Sequence, residues 1–385
     1  MRNFTFYNPT RIIFGKGRIR VIAREIPDGS KILVTYGLGS VRRTGILDQV
    51  FAALSGREVL EFGGIEPNPE FDTLMEGVEL ARSEGVDFLL AVGGGSVIDG
   101  TKFMAAAIPF EGDAWEIMAS GGSRVGRALP LGTVLTLPAT GSEMNSGAVI
   151  SRRSIGAKLH FSHPSLFPRF SVLDPTTTFT LPPRQIANGI VDTFVHITEQ
   201  YLTYPSGGRV QDRLAEGLLL ALIDDGPRAL SEPENYEVRA NIMWCATLGL
   251  NGLIGAGVPQ DWATHMVGHE LTALYGLDHG VTLALVLPAM LQVRRKDKRD
   301  KLLQYAGRVW GITRGDEEQR MDEAIARTRT FFEELGIPTT LGACGVGDEC
   351  IEKVAEQLVR HGMARLGERS EVTPEIVRKV LELCL

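Results

Sequence analysis

Basic excess, closely spaced cysteine and long apolar runs are all scarce in this chain, and each shortage removes a class of function. Four cysteines in 385 residues, none in a C-x-x-C pair, are too few for a disulfide scaffold of this size. They read as reduced thiols in a cytoplasmic protein. Lys and Arg number 40 against 47 Asp and Glu, a formal charge of -7, so a polyanion is disfavoured and nucleic acid is not an expected partner. The longest basic cluster, residues 294–301, is interrupted by aspartates and reads as a solvated face. The longest apolar stretch, residues 281–291, contains Pro288 and is too short to span a bilayer, so no membrane association is expected. The start, Met1-Arg2-Asn3-Phe4, leads into a strand-like run and not into the apolar segment of a secretion signal.

Glycine is plentiful, at 44 residues, and hydrophobic residues make up 44% of the chain, the composition of an α/β protein with large cores. Up to about residue 175, short apolar or β-branched runs (31–36, 59–62, 86–92 and 131–137) alternate with helical stretches, which argues for a parallel sheet wrapped by helices. Beyond a Thr- and Pro-rich segment at 176–183, the periodicity is helical: 186–201, 210–223, 238–250, 263–274, 301–309 and 321–335. A boundary near residue 180 follows, giving domains 1–180 and 181–385. No internal repeat is visible.

Histidine is scarce as well, seven in all, yet three of them, His265, His269 and His279, fall within fifteen largely apolar residues. Asp192 and His196 stand four apart on a helical stretch, one turn above each other on one face, where both can ligate one ion. An unbroken helix would hold His265 and His279 about 21 Å apart, too far for a shared ion. The helix must therefore break, and Gly276 is the natural place, since glycine readily takes the left-handed conformation that ends helices. The two pairs together can enclose one divalent metal; the plainer alternative for Asp192 and His196 is a helix-surface pair.

Two glycine-rich loops follow strands. Gly93, Gly94, Gly95 and Ser96 come directly after the run 86–92 and lead into Val97, Ile98 and Asp99, a helix start, so unhindered backbone N–H groups and a helix N-terminus form a phosphate cradle. A tight turn is the alternative. Gly37, Leu38, Gly39 and Ser40 follow the run 31–36 in the same way, and no carboxylate lies between Tyr36 and Leu47 to hold a ribose 2′-hydroxyl. Ser40, Arg42 and Arg43 favour NADP(H) over NAD(H), unless the arginines face water. Thr136, at the end of the run 131–137, and Thr140 and Ser142, in the polar turn behind it, carry hydroxyls toward the carboxyl edge of the sheet, or form an ordinary turn. Asn68 and Lys158 are further cofactor candidates, with solvent exposure the alternative for the lysine.

These segments together resemble the iron-containing (group III) alcohol dehydrogenases, and within them the bacterial NADPH-dependent aldehyde reductases and butanol dehydrogenases. The matching stretches are 11–17, 63–69, 93–102, 137–143, 187–196 and 251–280. The resemblance implies an α/β Rossmann-like dinucleotide-binding domain and an all-α metal-binding domain, the architecture shared with dehydroquinate synthase, with cofactor and metal facing each other across the cleft. It implies Asp192, His196, His265 and His279 as ligands of Fe2+ or Zn2+, and His269 as a neighbour of the metal. Leu38 stands where close relatives often have glycine.

The expected reaction is hydride transfer between NADP(H) and a small aldehyde or alcohol, with a metal polarising the carbonyl and His269 relaying the proton or orienting the site. Trp262, Met266 and Tyr275 are candidate pocket walls or plain core residues. Two other readings are a dehydroquinate synthase-like lyase, which would need basic residues converging on the metal, and a non-catalytic nucleotide- or metal-sensing module. A strand spanning residues 4–14 is expected at a sheet edge, where it would support a homodimer.

Overall fold

Val-, Ile- and Leu-rich runs closed by glycine or proline become strands, because branched side chains pack well on a pleated surface covered from both sides. The computed structural model, which describes residues 1–385, has eight of them: β1 (Arg11–Phe14), β2 (Lys31–Gly37), β3 (Glu58–Ile65), β4 (Phe88–Gly94), β5 (Leu131–Leu137), β6 (Gly147–Arg152), β7 (Ala157–Ser162) and β8 (Phe170–Leu173). Six lie parallel in the order β1-β8-β5-β4-β2-β3, and β6 and β7 form a separate antiparallel hairpin. Alternate residues of one strand feed opposite cores: Leu89 and Ala91 face Phe103 and Met104, while Phe88, Leu90 and Val92 face Ile32, Val34 and Val172.

Helices α1 (Ser40–Arg43), α2 (Ile46–Ala53), α3 (Phe71–Glu84), α4 (Gly95–Ala107) and α5 (Trp115–Ala119) belong to the sheet-bearing half. The chain leaves β2 outward to β3 and then returns past β2 to β4, so the strand order reverses between β2 and β4. Ligand crevices in open α/β sheets form at the carboxyl ends of strands at such a reversal. The two glycine-rich loops, after β2 and after β4, flank that point.

The second half is helical: α6 (Pro183–Tyr201), α7 (Arg209–Ser231), α8 (Tyr236–Gly249), α9 (Ala263–Tyr275), α10 (His279–Val293), α11 (Arg299–Arg308), α12 (Glu317–Glu334), α13 (Cys350–Arg360) and α14 (Pro374–Glu382). The chain separates into two compact units, one of Tyr7–Leu181 and Pro233–Met243, the other of Met1–Phe6, Pro182–Glu232 and Trp244–Leu385. Two short segments thus depart from a single cut near residue 180. The first six residues join the helical unit, where the Arg2 N–H donates to Gly257 O at 2.8 Å and the Phe4 ring lies against Gly257. Met243 packs into the core that holds Phe103 and Met104.

The N-terminal strand is shorter than the pattern of residues 4–14 suggests. Only Arg11–Phe14 pairs, because Pro9 has no N–H for a ladder and the Thr10 N–H is taken by Asn8 Oδ1 at 3.2 Å. β1 does sit at the edge of the sheet.

Candidate metal centre and nucleotide cradle

Helix α6 starts on Pro183, whose ring suits a first helical turn, and carries Asp192, His196 and Glu199 one turn apart on one buried face. Helix α9 is launched by Trp262 in a left-handed conformation (φ 66°), which is strained for a residue with a Cβ. That turn is held from outside: Asp261 Oδ1 accepts the Ala263 N–H at 3.0 Å, and the buried Lys298 ammonium pairs with Asp261 at 2.7 Å and Glu368 at 2.9 Å. Helix α9 ends on Gly276 (φ 68°), and α10 begins with His279. The break expected from sequence is therefore present.

Close helix approach brings His279 home. A Cβ on Gly280 would stand 2.7 Å from both the Cα and the carbonyl oxygen of Asn188 in α6, and one on Gly268 would stand 2.9 Å from Thr282 Oγ1 in α10. Asp278, preceding His279, pairs with Arg184 at 2.7 Å and accepts a hydrogen bond from Asn188 at 2.8 Å.

The result is a cluster around one carboxylate oxygen. Asp192 Oδ1 lies 3.6 Å from His265 Nε2, 3.6 Å from His279 Nε2 and 3.3 Å from His196 Nδ1. Ligand atoms of Asp192, His265 and His279 fall within 4.8 Å of one another, and the His196 ring stacks on that of His265 at 4.4 Å. His269 sits beside them, its ring 5.1 Å from His279 and 6.3 Å from His265. All four expected ligands and His269 are thus brought together.

These residues fit a divalent cation. Asp192 Oδ1 and His265 Nε2 are buried without a hydrogen-bond partner, a deficit of about 1–3 kcal/mol per atom that an ion between them removes. Burial alone would raise the Asp192 pKa, but the imidazoles of His196, His265 and His279 hold it below the usual carboxylate range. Burial would likewise depress His265, yet the Glu199 and Asp192 carboxylates raise it to about 9. The pocket asks for positive charge at this point.

Of the candidate walls, Trp262 stands edge-on to His265 at 5.4 Å and to His196 at 6.0 Å. Met266 is half-buried, and the Tyr275 ring is covered by Lys353 Nζ at 5.8 Å.

In the sheet-bearing unit, Gly94 precedes α4, and Gly93, Gly94 and Gly95 leave no room for a side chain. A Cβ would stand 2.5 Å from Val97 Cγ2, 2.9 Å from Leu137 Cβ and 2.5 Å from Thr140 Oγ1 respectively. Ser96 and Val97 follow in the first turn of α4, whose free N–H groups favour an anion. Thr136 is buried near the end of β5, and Thr140 Oγ1 accepts the Ser142 N–H at 3.2 Å. Asn68, itself left-handed (φ 57°), accepts a hydrogen bond from Lys158 Nζ at 2.9 Å.

Asp99 and Ser142 face each other: Ser142 Oγ donates to Asp99 Oδ1 at 2.5 Å, and Asp99 Oδ2 accepts the Val149 N–H at 2.9 Å. The buried Lys102 ammonium braces them, donating to Ser142 Oγ at 2.8 Å, Asn145 Oδ1 at 2.9 Å and Gly147 O at 2.8 Å. Burial lowers its pKa to about 8. This network ties the Ser142 turn and the β6 strand to α4.

The loop after β2 separates the two arginines. Gly37 and Gly39 (φ 96°) shape the turn, Leu38 is exposed, and Ser40 opens α1. Arg43 reaches back over the loop, with Nη1 3.8 Å from a Cβ position on Gly39. Arg42 donates to Tyr36 Oη at 2.7 Å and pairs with Glu61. Glu61, on the adjacent strand β3, thus occupies the Arg42 guanidinium and leaves Arg43 as the cation beside the loop. Sequence inspection passed over Glu61, Lys102 and Glu199; only Glu199 left a signal, at the seven-residue interval from Asp192 that shares its helix face.

Residues 9–175 match the family described as iron-containing alcohol dehydrogenase, and residues 186–383 match its C-terminal domain. The chain is 59% identical over 384 residues to the NADPH-dependent aldehyde reductase YqhD of Escherichia coli, covering 99% of each chain. It is 40% identical to NADH-dependent butanol dehydrogenase A of Clostridium acetobutylicum over 387 residues, again covering 99% of each. The crystal structure of E. coli YqhD superposes with a TM-score of 0.99 at 57% identity, covering 100% of this chain and 99% of that one. The Thermotoga maritima NADH-dependent butanol dehydrogenase A superposes at 0.95 with 36% identity, covering 100% and 99%.

Proposed function

This chain belongs to the iron-containing alcohol dehydrogenase family, and we propose that it is a metal- and NADP(H)-dependent oxidoreductase that interconverts small aliphatic aldehydes and primary alcohols. The observation that carries this reading is the buried convergence of Asp192, His196, His265 and His279, with an oxygen and a nitrogen that make no hydrogen bond. Asp192 and the three histidines would hold one Fe2+ or Zn2+; the set has no thiolate and so does not select strongly between them. When bound, that ion supplies Lewis acidity for a carbonyl oxygen, worth several kcal/mol of barrier.

The remaining work falls to the chain's own groups. The glycine loops after β2 and β4 and the N-terminus of α4 bind the pyrophosphate through backbone N–H groups. Ser40 and Arg43 hold the 2′-phosphate, which supports NADPH over NADH even though several relatives are named for NADH. Thr136, Thr140, Asn68 and Lys158 line the cofactor path, while Asp99 and Ser142 keep the Thr140 turn in place. The edge of Trp262 and the side chain of Met266 offer an apolar wall suited to aliphatic substrates. His269, largely buried beside His279, exchanges the hydroxyl proton with water.

Two further properties belong to the same reading. The unpaired side of edge strand β1 supports a homodimer, and four free cysteines support a cytoplasmic location. The test is a screen of NADPH and NADH oxidation across C2–C6 aldehydes with metal-loaded protein. Turnover with NADPH preferred is expected; no change in NADPH absorbance with any aldehyde would instead favour a binding module.

A further inference from the structure

Glu199 is an almost fully buried carboxyl side chain with no place among the ligands or the proton path. Its carboxylate is nevertheless completely engaged. Oε1 accepts the Thr264 N–H at 2.7 Å; Oε2 accepts the His265 N–H at 3.3 Å and makes a short contact with His265 Nδ1. Thr264 and His265 lie in the first turn of α9, whose amides have no acceptor within the helix, and a carboxylate there is further favoured by the helix dipole. The backbone carbonyl of Glu199 accepts the Asp261 N–H at 2.9 Å, so one residue of α6 secures both the Trp262 turn and the helix it launches.

We infer that Glu199 is a positioning residue for the metal, acting through His265, an inference that rests on the metal-centre reading given above. Both Glu199 oxygens already serve as acceptors for backbone N–H groups, so the ring nitrogen that faces Oε2 is the one that carries a hydrogen toward it. With Nδ1–H pointing at Glu199, it is Nε2 that gives up its proton when an ion binds, and its lone pair then lies on the opposite side of the ring, 3.6 Å from Asp192 Oδ1 where Nε2 has no hydrogen-bond partner. The opposite tautomer would set a lone pair against a negative oxygen and aim N–H at the ion site. Glu199 is not itself a ligand, because its oxygens lie on the Nδ1 side and are used by backbone amides.

Glu199→Gln separates this role from simple packing. The amide keeps the shape and an oxygen for the Thr264 N–H, but its NH2 group turned toward Nδ1 forces that nitrogen to accept. The hydrogen then moves to Nε2, where it blocks ligation. The experiment titrates metal-free wild type, Glu199→Gln and His265→Ala with Zn2+ against a chromophoric chelator, alongside circular dichroism and NADPH binding.

The expected result is one tight site in wild type, a loss of about 10–100-fold in affinity for Glu199→Gln, and unchanged fold and NADPH affinity. Equal affinity in wild type and Glu199→Gln overturns the inference. Wild type with no tight site overturns the metal reading itself. Should Glu199→Gln fail to fold, 15N-histidine NMR of zinc-loaded wild type decides: a hydrogen-bonded Nδ1–H on a zinc-ligated His265 supports the role, and its absence overturns it.

Discussion

Asp192 Oδ1 meets three imidazole nitrogens within 3.6 Å, so each histidine should be separable by its effect on metal without disturbing the nucleotide loops. His265→Ala is expected to lose tight metal binding and at least a hundredfold in kcat, which corresponds to about 3 kcal/mol of barrier, while NADPH affinity stays within a factor of two or so. Metal analysis and fluorescence titration of NADPH check both halves. The arginines give a second prediction. Arg43→Ala should lower kcat/KM for NADPH by roughly tenfold, the scale of one charge-assisted contact to phosphate, and leave NADH unchanged. Arg42→Ala should matter less, because Glu61 and Tyr36 already hold that guanidinium. Equal effects in the two variants would remove the distinction. The four candidate ligands were legible because histidine is rare and their spacing demanded a helix and a break. Glu199 sits on the same face of α6, but one carboxylate among 47 acidic residues draws no notice until its partners are seen. Glu61 became visible only through the pairing of β2 with β3.

Among the elements, the contact of α10 with α6 decides where His279 lies. Gly280→Ala would drive a methyl into the Asn188 backbone, which cannot rotate away as a side chain could. A loss of about 1–3 kcal/mol in stability is expected from such overpacking, together with weaker Zn2+ binding as His279 shifts. Unchanged melting and zinc affinity would show that the two helices can part without harm. The alternation of strands and helices, the break at Gly276 and the loop that opens α4 were legible because each rests on local backbone preference. The hairpin of β6 and β7 was not, since its partners are joined by a polar turn at Arg153–Ile155 that breaks no larger pattern. The N-terminal strand was overestimated because one proline outweighs several β-forming neighbours.

At the scale of the molecule, burial of thiols sets a response to alkali. Burial raises Cys245 and Cys384 to about 12 and Cys350 to about 11, from an ordinary value of 9.0. Between pH 9 and 11 the unfolded chain releases these protons and the folded chain keeps them, so stability present below pH 9 is lost as pH rises. Lys102 opposes this: its value falls from 10.5 to about 8, so between those pH values the unfolded state binds the extra proton and stability rises. Three thiols against one lysine give a net fall. The urea midpoint should be lower at pH 10.5 than at pH 8.5, and Cys245→Ala should flatten the difference; a higher midpoint at pH 10.5 would reverse the sign. A second whole-molecule expectation is a dimeric mass by light scattering, with a monomer arguing against the role given to β1. The exchange of residues 1–6 and 233–243 between the two units was not legible, because contacts between segments far apart in sequence leave no periodic trace.

The most direct single measurement is NADPH oxidation by butanal as metal-free protein is titrated with Fe2+ under anaerobic conditions, with Zn2+ in parallel. Activity should be absent at the start, rise to a plateau at one ion per chain with at least one of the metals, and fail to appear in His265→Ala. Full turnover by the metal-free protein, or an equal rise in His265→Ala, would contradict a metal held by Asp192 and its histidines as the centre of the chemistry.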